Sequence, residues 1–381
     1  MVRAAYIHIP FCEHICHYCD FNKVFLKNQP VDQYINSLLL EIDRMMQLRS
    51  NSALKTIYIG GGTPTALTAE QLDVLLKGIK SIIDIGKLDE YTIEVNPDSI
   101  EEDKLLVLKT HGINRLSMGV QTFDEGLLKE IGRTHSARSI KDAVKRSREA
   151  GFTNISLDLM FGLPGQSPSD FKKSLLEAIQ LDVDHISAYS LKVEEKTVFY
   201  NRQRKGKLTL PPEEDEIKMY EILRDDLKQA GFKQYEISNF AKPGFESKHN
   251  LVYWNNEEYF GFGAGSHGYV DGVRYQNHGP IPKYLKAIEE GAKPVLQEHV
   301  VSEIERIEEA MFMGLRKREG VNRKQFEKLY NRSLEEAFSE QIDMLVKRGL
   351  LCSTKDSIYL TEEGLLLSNE VFEQFIAVLS E

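Results

Sequence analysis

The chain has four cysteines, a single tryptophan and no apolar run approaching the roughly 18 residues that a membrane-crossing helix needs. Four cysteines are too few and too unevenly spread for a disulfide framework: Cys12, Cys16 and Cys19 fall close together, and Cys352 lies far along the chain. Met1 to Pro10 lacks the basic stretch followed by an apolar one that marks a secretory leader, so the expected compartment is the cytoplasm. Positive charge is also in deficit, 48 Lys and Arg against 58 Asp and Glu for a net of -10. Such a surface on average repels phosphate backbones, and nucleic acid is not an expected partner. What remains is ordinary soluble material. With 41% hydrophobic and 28% charged residues, 26 Gly and 12 Pro, the disordered and collagen-like classes are excluded. At 381 residues the chain has room for two or three domains and a sizeable core.

From residue 4 to about 190 one unit repeats: a short β-rich run, a polar turn, then a helical period. The expected strands are Ala4 to Ile9, Thr56 to Ile59, Tyr91 to Val95, Arg115 to Gly119, Asn154 to Met160 and His185 to Ser190. Thr68 with Gln71, and Ser99 with Glu102, have capping-box spacing and mark helix starts. This alternation predicts a parallel sheet, either open and doubly wound or part of a (β/α) barrel, with ligands at the C-terminal strand ends. Arg202 to Leu208 with Pro211 and Pro212 reads as a linker, followed by a helix over Glu213 to Ala230. The stretch Tyr235 to His278, rich in aromatics, Gly and His, reads as a loop-rich surface. Beyond Glu303, helices and a hairpin over Leu351 to Leu360, turning at Lys355 and Asp356, suggest a winged-helix-like α+β domain. Residues 301–381 carry 11 basic and 16 acidic residues, which argues for packing or partner binding rather than phosphate contact. The expected divisions are 1–210, 211–300 and 301–381.

The cysteine trio has C-x3-C-x2-C spacing in the loop after the first strand. A structural zinc site requires four closed ligands, and only His8, His14 or His17 is at hand to complete one. A cubane 4Fe-4S cluster held by three thiolates keeps one iron open. That iron can take the amino and carboxylate groups of S-adenosylmethionine, whose cleavage is cofactor chemistry that the protein positions. Cys352 is expected to be a buried small hydrophobe.

The trio, with Tyr6-Ile7-His8-Ile9-Pro10-Phe11 before it, resembles the radical S-adenosylmethionine superfamily and, within it, the relatives of oxygen-independent coproporphyrinogen III oxidase. The resemblance continues through Gly60-Gly61-Gly62-Thr63-Pro64-Thr65, Glu94-Val95-Asn96-Pro97, Ser117 to Phe123, Ile131-Gly132-Arg133 and Leu157 to Pro164, each at the end of an expected strand or shortly after it. It implies a partial (β/α)6 TIM-like barrel of the radical SAM type, a 4Fe-4S cluster on Cys12, Cys16 and Cys19, and a nucleotide site of Tyr6, Tyr18, Gly61, Gly62, Thr63, Glu94, Gln121, Arg133 and Asp158. Met160 is implied at the adenine face. By their own chemistry, the glycines let backbone approach a ligand, Glu94 and Asp158 suit ribose hydroxyls or an ammonium, and Arg133 suits a carboxylate; a tight turn, helix caps and a surface ion pair are their bland readings. His8 is either cavity-facing or a packed strand histidine.

Phe21 stands where the oxidase motif typically has a fourth cysteine, and the chain begins almost at its first strand, without the extension the oxidase usually carries. Both features resemble the HemW-type haem chaperones. So does His249-Asn250-Leu251-Val252-Tyr253-Trp254, in which a neutral imidazole suits an axial haem ligand and two aromatic faces suit a macrocycle. The alternative is a set of core aromatics around a hydrogen-bonded histidine. His267 and His278 are candidate second ligands. The resemblance implies haem and haem-accepting respiratory proteins as partners, porphyrin metabolism as the setting, and no dedicated substrate turnover. It leaves open a homodimer and a peripheral membrane contact. Oxidative decarboxylation of a porphyrinogen is the competing activity.

Overall fold

The computed structural model describes residues 1–49 and 52–379. The six expected strands all form: β1 Ala4–Ile9, β2 Thr56–Gly61, β3 Glu90–Val95, β4 Arg115–Gln121, β5 Ile155–Phe161 and β6 His185–Ser190. They pair in chain order and in parallel, as right-handed βα crossovers require. Successive side chains point to opposite faces of the sheet. Ile57, Ile59, Ile93, Leu116, Met118, Leu157 and Ile186 go outward into the main apolar core, where the helices cover them. Tyr58, Glu94, Arg115, Ser117, Asp158 and Ser187 go inward to a cavity. The partial barrel of the radical SAM type is therefore apolar outside and polar inside.

The sheet extends at both edges to twelve strands. Tyr259–Phe262 runs parallel beside β1 and leads into the antiparallel strands His267–Val270, Val273–Asn277 and Val295–Val300. At the other edge Asn239–Ala241 is antiparallel to β6. The segment 235–278 thus contributes four strands to the sheet and the helix Lys248–Trp254, with loops between them, where its composition suggests a loop-rich surface. Gly261 and Gly268 mark close approach of neighbouring chain, a Cβ on Gly261 standing 1.9 Å from the His267 carbonyl oxygen, while Gly244 and Gly272 sit in turns.

Thr68 and Gln71 form the expected capping box at the start of the helix Ala69–Ile82. Ser99 does not cap the helix Glu102–Thr110. It closes a short 3-10 turn, Pro97–Ser99, and its hydroxyl pairs with that of Thr65 at 2.6 Å. The expected linker is anchored: Leu208 and Leu210 pack against Ile131, Met160, Leu163, Leu191 and Phe199, and the helix Glu213–Gln229 follows.

The C-terminal part runs helix Glu303–Gly314, strand Val321–Asn322, helices Arg323–Tyr330 and Leu334–Lys347, then hairpin Leu351–Ser353 and Ser357–Leu360. That is the order of a winged helix. Cys352 is half-buried opposite Tyr359 in the hairpin, not enclosed as expected, because an edge hairpin offers burial on one face only. The domain is held to the rest of the chain by Arg224 on Glu362, by Arg274 on Glu309 at 2.8 Å, and by Arg316 stacked over Trp254 at 4.3 Å.

Candidate functional site

A cavity of about 430 Å3 lies inside the barrel beside the cysteine loop. Cys12, Cys16, Tyr18, Cys19, Gly61, Gly62, Thr63, Glu94, Gln121, Arg133 and Asp158 all line it, as does Met160. Of the expected nucleotide set only Tyr6 stands outside the wall: its hydroxyl meets His8 Nδ1 at 3.0 Å and its ring stacks on Tyr58. His8 is the packed alternative, 4% exposed. Its Nε2 donates to the Asn22 carbonyl at 2.7 Å, so Nδ1 accepts from Tyr6, and burial pushes its pKa down to about 4.

Arg133, Glu94 and Asp158 are each held by neighbouring groups. Arg133 donates to Asn96 Oδ1 and to the Tyr18 hydroxyl, both at 2.9 Å, while its Nε is buried with no partner; it is not a surface ion pair. Glu94 accepts from the Tyr58 hydroxyl at 2.9 Å and from the Gly61 N–H at 3.0 Å, and burial pushes its carboxyl up to about 7. Asp158 accepts from Ser117 Oγ at 3.1 Å, with its pKa raised by burial. Gln121 has φ +67 at a register shift against β5, a strained position of the kind concentrated at functional sites.

Gly61 and Gly62 also make room for neighbouring protein. Gly61 has φ +116, and a Cβ there would stand 2.3 Å from the His8 ring; at Gly62 it would stand 2.8 Å from the Phe11 carbonyl oxygen. Both admit neighbouring protein while their remaining atoms line the cavity.

The donor set fits a cluster with one open iron. Burial pushes the Cys12 thiol up to about 11 and raises that of Cys19, the three thiols act on one another electrostatically, and Thr63 Oγ1 donates to Cys12 Sγ at 3.7 Å. Metal binding is what deprotonates such thiols. Among the described residues no three His, Cys, Asp or Glu side chains converge tightly enough for a single ion. A cubane asks instead for sulfurs set apart around one space, because each iron takes its own. Of the histidines that might have closed a zinc site, His8 has both ring nitrogens engaged and His17 Nδ1 donates to the Glu130 carbonyl at 2.8 Å, while His14 is exposed.

His249, Tyr253 and Trp254 lie on a seven-residue helix, Lys248–Trp254, laid across the opposite, N-terminal ends of the strands. His249 is 1% exposed and both its ring nitrogens are engaged, Nδ1 with Thr56 Oγ1 and Nε2 with the Tyr253 hydroxyl, each at 2.9 Å. Tyr253 packs edge-on against Tyr259 at 4.7 Å, and Trp254 is at the seam under Arg316. In this conformation the trio is therefore a packed plug and not the partly wet face its composition suggests. His267 is exposed and His278 half-buried, at the sheet edge near the cysteine loop.

Arg115, Asn96 and Asn250 also line the cavity and were not singled out from the sequence. The signal for Arg115 was the alternation Arg115-x-Ser117-x-Gly119-x-Gln121, which puts all four on one strand face.

Residues 6–178 match the family model of the radical SAM superfamily, and 301–367 that of the HemN C-terminal domain. The heme chaperone HemW of Bacillus subtilis is 51% identical over 99% of this chain and all of its own length. That of Lactococcus lactis is 47% identical over 98% and 97%, and that of Escherichia coli 35% identical over 98% and 97%. The structure of the Escherichia coli coproporphyrinogen III oxidase HemN, a radical SAM enzyme, superposes with a TM-score of 0.86 at 25% identity, covering 99% of this chain and 91% of that one. Fold and site together are those of a radical SAM protein, with a 4Fe-4S cluster and S-adenosylmethionine as cofactors. Within that superfamily, the chain belongs to the heme chaperone HemW family.

Proposed function

We propose that the chain binds haem and hands it to acceptor haemoproteins of respiration, with Cys12, Cys16 and Cys19 holding the cluster. The observation that carries this reading is full-length kinship, at 51% identity, with a protein named a heme chaperone. Phe21 supports it, being 63% exposed at the rim where the oxidase motif would continue to a fourth cysteine. The nucleotide site is proposed from Tyr18, Gly61, Gly62, Thr63, Glu94, Gln121, Arg133 and Asp158 at the wall, with Tyr6 behind them. Arg133 supplies a charge for the methionyl carboxylate, and Glu94 and Asp158 supply acceptors for hydroxyls or an ammonium. When bound and reduced, the cluster supplies the electron that cleaves the sulfonium.

Haem is proposed to meet His249, Tyr253 and Trp254 once the helix Lys248–Trp254 has left the strand ends, since its imidazole has no free nitrogen while it is seated. The parts 1–210, 211–300 and 301–381 then serve as cluster barrel, haem-binding segment and packing domain. The proposed setting is the cytoplasm, with the homodimer as the form in which haem is passed. No helix among the described residues is long and apolar enough to cross a membrane.

The test is anaerobic reconstitution followed by haem titration of wild type and His249→Ala. Stoichiometric binding that weakens in the variant is expected, and no binding by either protein overturns the reading. The oxidase reading is favoured by the likeness to coproporphyrinogen III oxidase. It requires the same preparation to convert coproporphyrinogen III to protoporphyrinogen IX.

A further inference from the structure

Arg115 opens β4 and is 2% exposed, yet it lines the cavity. Among the described residues none of its guanidinium nitrogens makes a hydrogen bond or ion pair, and its Nε is buried without a partner. The carboxylates of Glu90 and Asp158 act on it only through space. Both are occupied elsewhere: Glu90 by the backbone N–H groups of Lys248 and His249, Asp158 by Ser117. A guanidinium offers five donors in a planar fork, and burying it with none of them used is unfavourable unless something else takes them up.

The position of this group is as informative as its lack of partners. The expected nucleotide residues cluster at the C-terminal ends of the strands, whereas Arg115 is at the N-terminal end of its strand, toward Asn250 of the plug helix, which also lines the cavity. Ser117 and Ser187 adjoin Asp158, and Tyr58 bonds Glu94, so these three connect Arg115 to the expected nucleotide residues along the same wall. Their hydroxyls and one aromatic face suit a short, partly apolar ligand with a single planar anionic end.

We propose that the deep end of the barrel cavity is a binding subsite for a small carboxylate, anchored by the Arg115 guanidinium. A carboxylate matches the fork with two parallel hydrogen bonds. A phosphate dianion fits less well, because Glu90 and Asp158 already place two negative charges around one positive. The subsite rests on the nucleotide reading only in leaving the upper end of the cavity to S-adenosylmethionine, and it does not depend on haem binding.

The test uses the reconstituted, full-length protein under anaerobic conditions, with and without S-adenosylmethionine, and ligand-detected NMR titration of propionate, propionamide and inorganic phosphate. Propionate is expected to bind saturably in the presence of S-adenosylmethionine, and roughly tenfold or more tighter than propionamide, as charge-assisted hydrogen bonds imply. Phosphate binds more weakly than propionate. Arg115→Lys, which keeps a cation beside Glu90 and Asp158 but loses the planar fork, should weaken propionate binding by a similar factor while retaining cluster absorbance and S-adenosylmethionine affinity. Equal binding of propionate and propionamide by wild type overturns the proposal without recourse to any variant. So does propionate binding that S-adenosylmethionine abolishes, which would assign Arg115 to the nucleotide's own carboxylate. If S-adenosylmethionine fails to bind at all, the nucleotide reading fails, and the propionate comparison in its absence still decides the subsite.

Discussion

Glu90 Oε2 accepts the backbone N–H of Lys248 at 2.7 Å, joining the first residue of β3 to the first residue of the plug helix. Its other oxygen accepts the His249 N–H and the Ser247 hydroxyl, both at 3.2 Å. A buried carboxylate thus takes the place of water at a helix N-terminus, where free donors and the helix dipole both favour negative charge. Glu90→Ala should cost about 3 kcal/mol, because buried donors are left unsatisfied, and Glu90→Gln less, because one acceptor oxygen remains. Thermal unfolding checks the stability. Hydrogen exchange should quicken first at residues 248–254, and uniform exchange across the barrel would contradict a local clamp.

His249 should contribute a distinct pH dependence. Burial pushes its pKa down from 6.5 to about 3, so between those values the unfolded chain binds a proton that the folded chain refuses. Stability contributed here is complete above pH 6.5 and is lost as pH falls toward 3. The loss is about 1.4 kcal/mol per pH unit within the window. Denaturant titrations of wild type and His249→Gln at several pH values should differ by that slope, and parallel curves would refute it.

Gly61→Ala should damage the site through His8. The new methyl would fall 2.3 Å from the imidazole at a backbone φ of +116 that alanine resists. A loss of more than about 2 kcal/mol is expected, together with reduced iron after reconstitution, because His8 ties β1 to Asn22 of the cysteine loop. Gly165→Ala, where the backbone is also left-handed but the methyl meets open space, separates backbone strain from collision.

Trp254 is the chain's only tryptophan, so its fluorescence reports the seam between barrel and C-terminal domain without interference. Arg316→Ala removes the cation stacked at 4.3 Å and should cost about 1 kcal/mol. Emission should shift to the red as water reaches the ring. An unchanged spectrum would mean that Arg316 does not cover it.

The six strands and the cavity wall were legible because each strand end carries its own chemistry, from the thiols after β1 to Asp158 in β5. What escaped was set by distant parts of the chain. Ser99 has the spacing of a cap, but Thr65 reaches its hydroxyl first. Gly261 reads as a loop residue until the strand carrying His267 is laid against it. The hexapeptide from His249 to Trp254 has the composition of an open aromatic face. Its burial follows from Thr56 and Glu90, 193 and 159 residues earlier in the chain, and no local pattern could announce it.

Asn250 is carried by the helix that Glu90 anchors, and it is also part of the chamber that begins at the thiols. Withdrawing the helix therefore removes a piece of the chamber's floor in the same movement that frees the imidazole. Asn250 thus makes the depth of the chamber below the thiols a function of where the helix sits.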